Sequence, residues 1–208
     1  MSYPIKNISE IIHGKFSGKR SDAMIRDLLI DSRKISHAEA SLFFAIKGER
    51  HDGHKFISEL YEKGVRNFVV NEKPDEKKFA EANFIAVSDT LAALQNLCAY
   101  HRKQFSIPVL GITGSNGKTI VKEWLYQLMR EDKNIVRSPK SFNSQVGVPL
   151  SVWQMSEENE LGVFEAGISK ANEMEHLGKI IAPTIGIFTN ASACSKATAK
   201  LQTTSTIT

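Results

Sequence analysis

The chain has 208 residues, 41% hydrophobic and 24% charged, with a formal net charge of +4 and a sequence pI of about 9.0. No apolar run approaches the roughly 20 residues that span a bilayer. The start, Met1-Ser2-Tyr3-Pro4-Ile5-Lys6, lacks the charged-then-apolar order of a signal peptide. Cys98 and Cys194 are too few and too isolated for a disulfide framework or a zinc site, so a cytoplasmic protein is expected. The positive excess suits small anionic substrates. The lack of a Lys/Arg block with interleaved aromatics argues against nucleic-acid binding.

In chain order, residues 42–46 form a short apolar run of strand type that stops at Lys47-Gly48. Residues 54–63 carry Phe56, Ile57, Leu60 and Tyr61 at helical spacing, with Gly64 where a C-cap belongs. Residues 68–70 read as a strand, followed by a charged loop around Lys73-Pro74-Asp75 and a strand over 84–87. Asp89 caps a helix whose buried face is Leu91, Leu94, Leu97 and Cys98. That helix runs toward Gln104, and Ile107-Pro108 breaks it, which places a domain boundary at 106/107.

Beyond the boundary, strand and helix alternate. Residues 109–113 predict a strand and 118–130 a helix with Val121, Trp124, Leu125, Leu128 and Met129 inward. A strand follows over 134–136, a short helix over 148–155 entered through Pro149, and a strand over 162–166. A helix over 172–181 and a strand over 185–189 complete the series. This rhythm predicts βαβ crossovers and a parallel sheet. The expected fold is therefore α/β, with a small first domain over 1–106 and a second over 107–190. Residues 191–208 are dominated by Ala, Ser, Thr and Lys, with no acidic residue or aromatic, and read as a disordered tail.

The segment Gly111-Ile112-Thr113-Gly114-Ser115-Asn116-Gly117-Lys118-Thr119 lies between a strand and a helix, the setting of a phosphate-binding P-loop. Glycines let backbone N–H groups close around phosphate oxygens, and the helix adds its positive dipole end. Gly114, Ser115, Asn116, Gly117, Lys118 and Thr119 are the candidate nucleotide-binding residues; Lys118 neutralises the β/γ-phosphates and Thr119 offers its hydroxyl to Mg²⁺. Ile112 stands at the first glycine position of the plain motif, with Gly111 one residue earlier. Glu165 ends a buried strand, where open α/β sheets place ligand-binding groups. Burying that carboxylate is costly unless it meets a cation, so it is either a Mg²⁺ ligand or a strand-end residue turned to solvent.

Asp31-Ser32-Arg33 and residues 48–54 are polar clusters framing the first domain's strand; they fit either a second anionic ligand or ordinary turns. His51 and His54 lack partners at metal-ligand spacing. Residues 141–149, including Asn143 and Gly147-Val148-Pro149, form a polar loop leading into a helix.

Taken together, these segments resemble the Mur ligase family, within it the branch that joins D-alanyl-D-alanine to UDP-N-acetylmuramoyl-tripeptide. The resemblance covers residues 20–190, and residues 115–126 and 137–153 also look like a Bacteroidetes-type form often fused to an alanine racemase. It implies ATP and Mg²⁺ as cofactors, UDP-N-acetylmuramoyl-tripeptide and D-Ala-D-Ala as substrates, an acyl-phosphate intermediate and a role in cell-wall precursor synthesis. It also implies a UDP-binding first domain and a P-loop ATPase second domain in a monomer. Carried onto this sequence, Lys118 and Glu165 are catalytic, Thr119 and Glu165 hold the metal, and Asp31, Ser32, Arg33, Gly53, His54 and Asn143 contact the UDP-linked substrate.

The sequence departs from the family after Thr189-Asn190, where Ala191-Ser192-Ala193-Cys194 replaces an expected Ala-His pair. The family's carbamylated lysine and C-terminal domain do not follow. The expectation is a truncated copy, intact to about Asn190, that does not turn over. The alternative is a module that binds ATP or the UDP-linked substrate without catalysis. A kinase or GTPase fits less well, since no Asn-Lys-x-Asp guanine signature is present.

Overall fold

The computed structural model describes residues 1–48, 51–72, 74–167 and 173–190. Glu49, Arg50, Lys73, Asn172 and the expected tail over 191–208 lie outside the described residues. The chain divides into two compact units, Met1–Tyr100 and His101–Thr208.

In the first unit, β1 (Tyr3–Pro4) leads into α1 (Ile5–Ile11), and β2 (Lys15–Ser17) follows. Then come β3 (Met24–Ile25), β4 (Asp27–Leu29) and β5 (Ser41–Phe44). A 3-10 turn over Gly53–Phe56 runs into α2 (Ile57–Glu62), then β6 (Asn67–Val70), β7 (Asn83–Ala86) and α3 (Thr90–Arg102), whose last two residues belong to the second unit. The main sheet has the order β2-β7-β6-β5-β4; β2 is antiparallel to β7 and the other neighbours are parallel. Strands β1 and β3 pair separately as an antiparallel ribbon.

Every residue of β5 and β6 is buried, which is why residues 42–44 and 68–70 read as apolar runs rather than alternating ones, each after one buried polar residue, Ser41 or Asn67. Phe43, Phe68 and Phe84 come from three adjacent strands, with Phe68 and Phe84 stacked at 5.4 Å. Asp89 accepts from the N–H groups of Leu91 and Ala92, so the expected cap of α3 forms. Gly64, at φ +91°, closes α2 where the sequence places a C-cap.

The second unit runs β8 (Val109–Thr113), α4 (Lys118–Met129), β9 (Ile135–Arg137) and α5 (Gly147–Val152). It continues with β10 (Leu161–Glu165), α6 (Glu173–Ile181) and β11 (Ile185–Phe188). All four strands are parallel in the order β11-β8-β10-β9, so the expected parallel α/β sheet forms.

One helix face differs from expectation. Val121, Leu125 and Met129 pack on the sheet, but Trp124 is 63% exposed and Leu128 76% exposed. The fully buried neighbour of Val121 is a lysine, Lys122. Helix α4 carries apolar residues over more than half its circumference, so hydrophobicity alone does not fix its rotation. The pairing of Lys122 with the carboxylate of Glu165, 2.8 Å away, settles the helix with Lys122 inward and turns Trp124 and Leu128 out.

His101 and Arg102 anchor the second unit. Arg102 donates to the carbonyls of Phe105, Ile181 and Ala182, the last two at the C-terminal end of α6, where a cation complements the helix dipole. His101 packs on Phe105 and Trp153 and donates from Nε2 to the Met155 carbonyl at 3.1 Å. Burial pushes its pKa down to about 4. The folded state thus stays unprotonated where the unfolded chain, titrating near 6.5, already takes up a proton. This contribution to stability is complete above about pH 6.5 and falls as the pH drops toward 4, by up to about 1.4 kcal/mol per pH unit. Urea unfolding of His101→Phe between pH 7 and 4 should show a correspondingly flatter pH dependence than the unaltered chain.

Candidate nucleotide site

Parallel pairing of β8 with β10 sets Ile112 opposite Glu165, so the loop after β8 and the end of β10 emerge side by side at the carboxyl edge of the sheet. Gly111 belongs to β8 rather than to the loop. A Cβ there would stand 3.0 Å from Pro183, so this glycine serves packing. The loop proper is 114–117. Gly114 has φ +133° and Gly117 φ +84°, both in the region that favours glycine. Gly117 enters α4 with no side chain capping the helix, so its first N–H groups remain available to an anion.

The loop is braced from β11. Ser115 N–H donates to the Asn190 carbonyl at 3.1 Å, and the Thr189 hydroxyl bonds the carbonyls of Thr113 and Asn116. Lys118 Nζ folds back onto the Gly114 carbonyl at 2.6 Å, so its charge already sits over the loop.

Glu165 is completely buried. The reading that turns it to solvent is therefore wrong: its strand is central, and the loop side of the sheet closes over its end. Its Oε2 accepts from the Thr119 hydroxyl at 3.1 Å, and its N–H donates to Ser138 Oγ at 3.0 Å. Its Oε1 lies 2.8 Å from Lys122 Nζ as an ion pair and accepts no aligned hydrogen bond.

The donor set fits Mg²⁺. Thr119 Oγ1 and Glu165 Oε2 are two hard oxygens 3.1 Å apart, close to the roughly 3 Å between neighbouring oxygens around hexacoordinate Mg²⁺. Among the described residues no group of three His, Cys, Asp or Glu is placed to hold a metal. An ion there would complete its shell with waters and phosphate oxygens, as Mg²⁺ usually does. Asn143 lies nearby in chain connectivity: its carbonyl accepts from Gly167 N–H at 2.7 Å, just past the end of β10.

In the first unit, Asp31-Ser32-Arg33 and Gly53-His54 follow the carboxyl ends of the adjacent parallel strands β4 and β5. Asp31 takes a bidentate contact and a backbone N–H from Arg33, which hold its carboxyl below the usual range. Gly53 is required by close approach: a Cβ would come within 2.8 Å of the Ala45 backbone. His54 Nδ1 lies 2.8 Å from Asp52, whose pKa is lowered chiefly by that bond, and Nε2 faces the N–H groups of Asn71 and Glu72 at 3.4 and 3.5 Å. His54 thereby ties the end of β5 to the end of β6.

Sequence reasoning missed Lys122, Ser138 and Thr189. A signal existed for the first: Lys122 lies one helical turn from Lys118 and Thr119, and a buried Glu165 demands a cation. Ser138 and Thr189 are short polar residues whose role depends on contacts distant in sequence.

Two family descriptions match the chain: "Mur ligase family, catalytic domain" over residues 25–102 and "Mur ligase middle domain" over residues 112–193. The chain belongs to the Mur ligase family. It is similar to UDP-N-acetylmuramoyl-tripeptide--D-alanyl-D-alanine ligases, at 32% identity to that of Bacillus subtilis over 89% of this chain and 40% of the relative. The Treponema pallidum enzyme is 36% identical over 77% of this chain and 36% of its own length. Among solved structures, MurF from Acinetobacter baumannii superposes with a TM-score of 0.82 at 29% identity, covering 90% of this chain and 41% of that one. MurF from Thermotoga maritima, solved in complex with ADP, gives 0.69 at 30% identity over 79% of this chain and 37% of that one. This Mur ligase chain thus spans about 40% of the length of the relatives it matches.

The geometry makes Gly114 the least replaceable loop residue. A Cβ there would lie 2.4 Å from Thr189 Oγ1 and 2.9 Å from the Asn190 nitrogen. Gly114→Ala should cost about 1–3 kcal/mol through strain and displace the loop from β11, read as a lower Tm and weakened ADP binding in calorimetry.

Proposed function

We propose that this chain carries the UDP-substrate-binding domain, residues 1–106, and the P-loop part of the ATP-binding domain, residues 107–190, of a D-Ala-D-Ala-adding ligase. The observation that supports this most is the convergence of Lys118, Thr119 and a wholly buried Glu165 at one sheet edge. A carboxylate held dry beside a helix N-terminus and a lysine is suited to phosphates carrying a divalent ion.

In the proposed reaction, the loop amides of Gly114, Asn116 and Gly117 and the Lys118 ammonium hold the β- and γ-phosphates of ATP, and the Ser115 amide joins them by exchanging its Asn190 carbonyl for a phosphate oxygen. They fix the γ-phosphorus for in-line attack and offset charge on the leaving ADP. The substrate carboxylate attacks that phosphorus, giving an acyl phosphate and ADP. The D-Ala-D-Ala amine then attacks the acyl carbon, loses a proton, and inorganic phosphate leaves as the amide forms. Mg²⁺, held by Thr119 and Glu165, would supply further neutralisation of phosphate charge. Asn143, set by the Gly167 contact beside the end of β10, faces the UDP-linked substrate. Asp31, Ser32, Arg33, Gly53 and His54 bind its UDP part.

Titration calorimetry on the full chain tests this reading. Mg·ADP should bind, and Lys118→Ala should weaken it at least tenfold, about 1.4 kcal/mol or more. UDP-N-acetylmuramoyl-tripeptide should bind in a separate titration that Lys118→Ala leaves unchanged. Phosphate release on adding ATP and D-Ala-D-Ala to that mixture distinguishes a ligase from a binding module; binding of neither ligand would refute both.

A further inference from the structure

Lys122 has no part in the phosphate loop, yet it is the most deeply buried cation of the second unit's described residues, with no solvent exposure. Its ammonium donates to the Ser138 carbonyl at 2.8 Å and to the Lys140 carbonyl, and it faces Glu165 Oε1 at 2.8 Å. Two of its donors thus meet carbonyls, while Glu165 Oε1, and Glu123 Oε1 at 3.3 Å, stand beside the ammonium as ion-pair partners. Lys140 sits at φ +50°, a left-handed conformation uncommon outside glycine. That backbone is held where its carbonyl meets the Lys122 ammonium.

The oxygens of Ser138, Lys140 and Glu165 belong to two different pieces of the site. Glu165 shares its other oxygen with Thr119. Ser138 and Lys140 begin the segment that leads through Phe142 N–H, bonded to the Pro139 carbonyl, to Asn143, whose carbonyl holds Gly167. Ser138 closes the circuit by accepting the Glu165 N–H on its hydroxyl. An apolar residue would fill this space without the cost of desolvating an ammonium. What the lysine adds is direction: it holds one oxygen of Glu165 at residue 122 of α4 while Thr119, in the helix's first turn, takes the other.

We infer that Lys122 is a positioning residue for the nucleotide–metal site, fixing the Glu165 carboxylate against Thr119 and locking the 138–143 segment to the same helix. The metal part of this inference rests on the reading under Proposed function; the locking part does not. Lys122 touches neither phosphate nor metal, and acts through Glu165 and the backbone it holds.

The test compares the full chain with Lys122→Met in two measurements. Calorimetry with ADP, with and without Mg²⁺, should show the Mg²⁺-dependent gain in affinity falling at least tenfold in the variant, while ADP affinity in EDTA stays within about twofold. An unchanged gain, or equal losses with and without Mg²⁺, would overturn the positioning role. Amide hydrogen exchange without ligand should rise at least tenfold at Phe142 and Gly167 in Lys122→Met, while amides of β8 keep their protection. No rise there would overturn the locking role. If the unaltered chain binds no ADP, the nucleotide reading fails and the exchange result still decides what Lys122 holds.

Lys122→Met leaves Glu165 as an uncompensated buried charge and can unfold the chain. In that event, ¹⁵N NMR of the unaltered protein replaces it. The Lys122 ammonium protons should be protected from exchange, and their resonance should move with Mg·ADP but not with Mg-free ADP. Rapid exchange, or equal shifts with both, would overturn the inference.

Discussion

Parallel register between β8 and β10 brings two chain segments, separated by some fifty positions, to the same edge of the sheet. Because parallel strands present their carboxyl ends together, this long-range pairing alone brings the loop after β8 and the carboxylate ending β10 side by side. The helix following that loop lies on the same face and delivers Thr119 and Lys122 to the two oxygens of Glu165. A slip of one residue in this register would turn Glu165 to the opposite face and take from Lys122 its buried counter-charge, leaving only the partly exposed Glu123 carboxylate.

The loop itself is held tightly. Gly114 passes so close to Thr189 and Asn190 that no side chain fits, and the Thr189 hydroxyl lies against the Asn116 carbonyl of the loop and the Thr113 carbonyl that ends β8. Such bracing places backbone N–H groups ahead of ligand binding, so less conformational entropy is lost when an anion arrives. Lys118 donates to the Gly114 carbonyl, a bond that a phosphate oxygen would compete for directly.

Buried polar groups in the second unit are paired in ways that specify geometry. Arg102 donates to three carbonyls around the end of α6, and Lys122 donates to two carbonyls while pairing by charge with a carboxylate. Neither is the most economical way to fill a core. Each fixes the position of backbone that would otherwise be set only by non-directional packing. The outward turn of Trp124 and Leu128 follows from the same cause, since a helix that must bury a lysine gives up the apolar stripe beside it.

Much was legible in the sequence where the signal is local. Strand β8, the glycine loop and α4 follow from apolar runs and the Gly-Lys-Thr signature, and the Asp89 cap from its place ahead of an apolar periodicity. The short strands β1 to β4 gave no such signal, because two- and three-residue strands carry too few side chains to show a period. Glu165 was legible as a candidate and ambiguous in role. The sequence by itself determined the parallel α/β class, the glycine loop between β8 and α4 and the demand that a buried carboxylate find a cation. Only the tertiary structure decided which cation answers, because Lys122, Ser138 and Glu165 are brought together by strand register and helix rotation, neither of which is written in the spacing of any one segment.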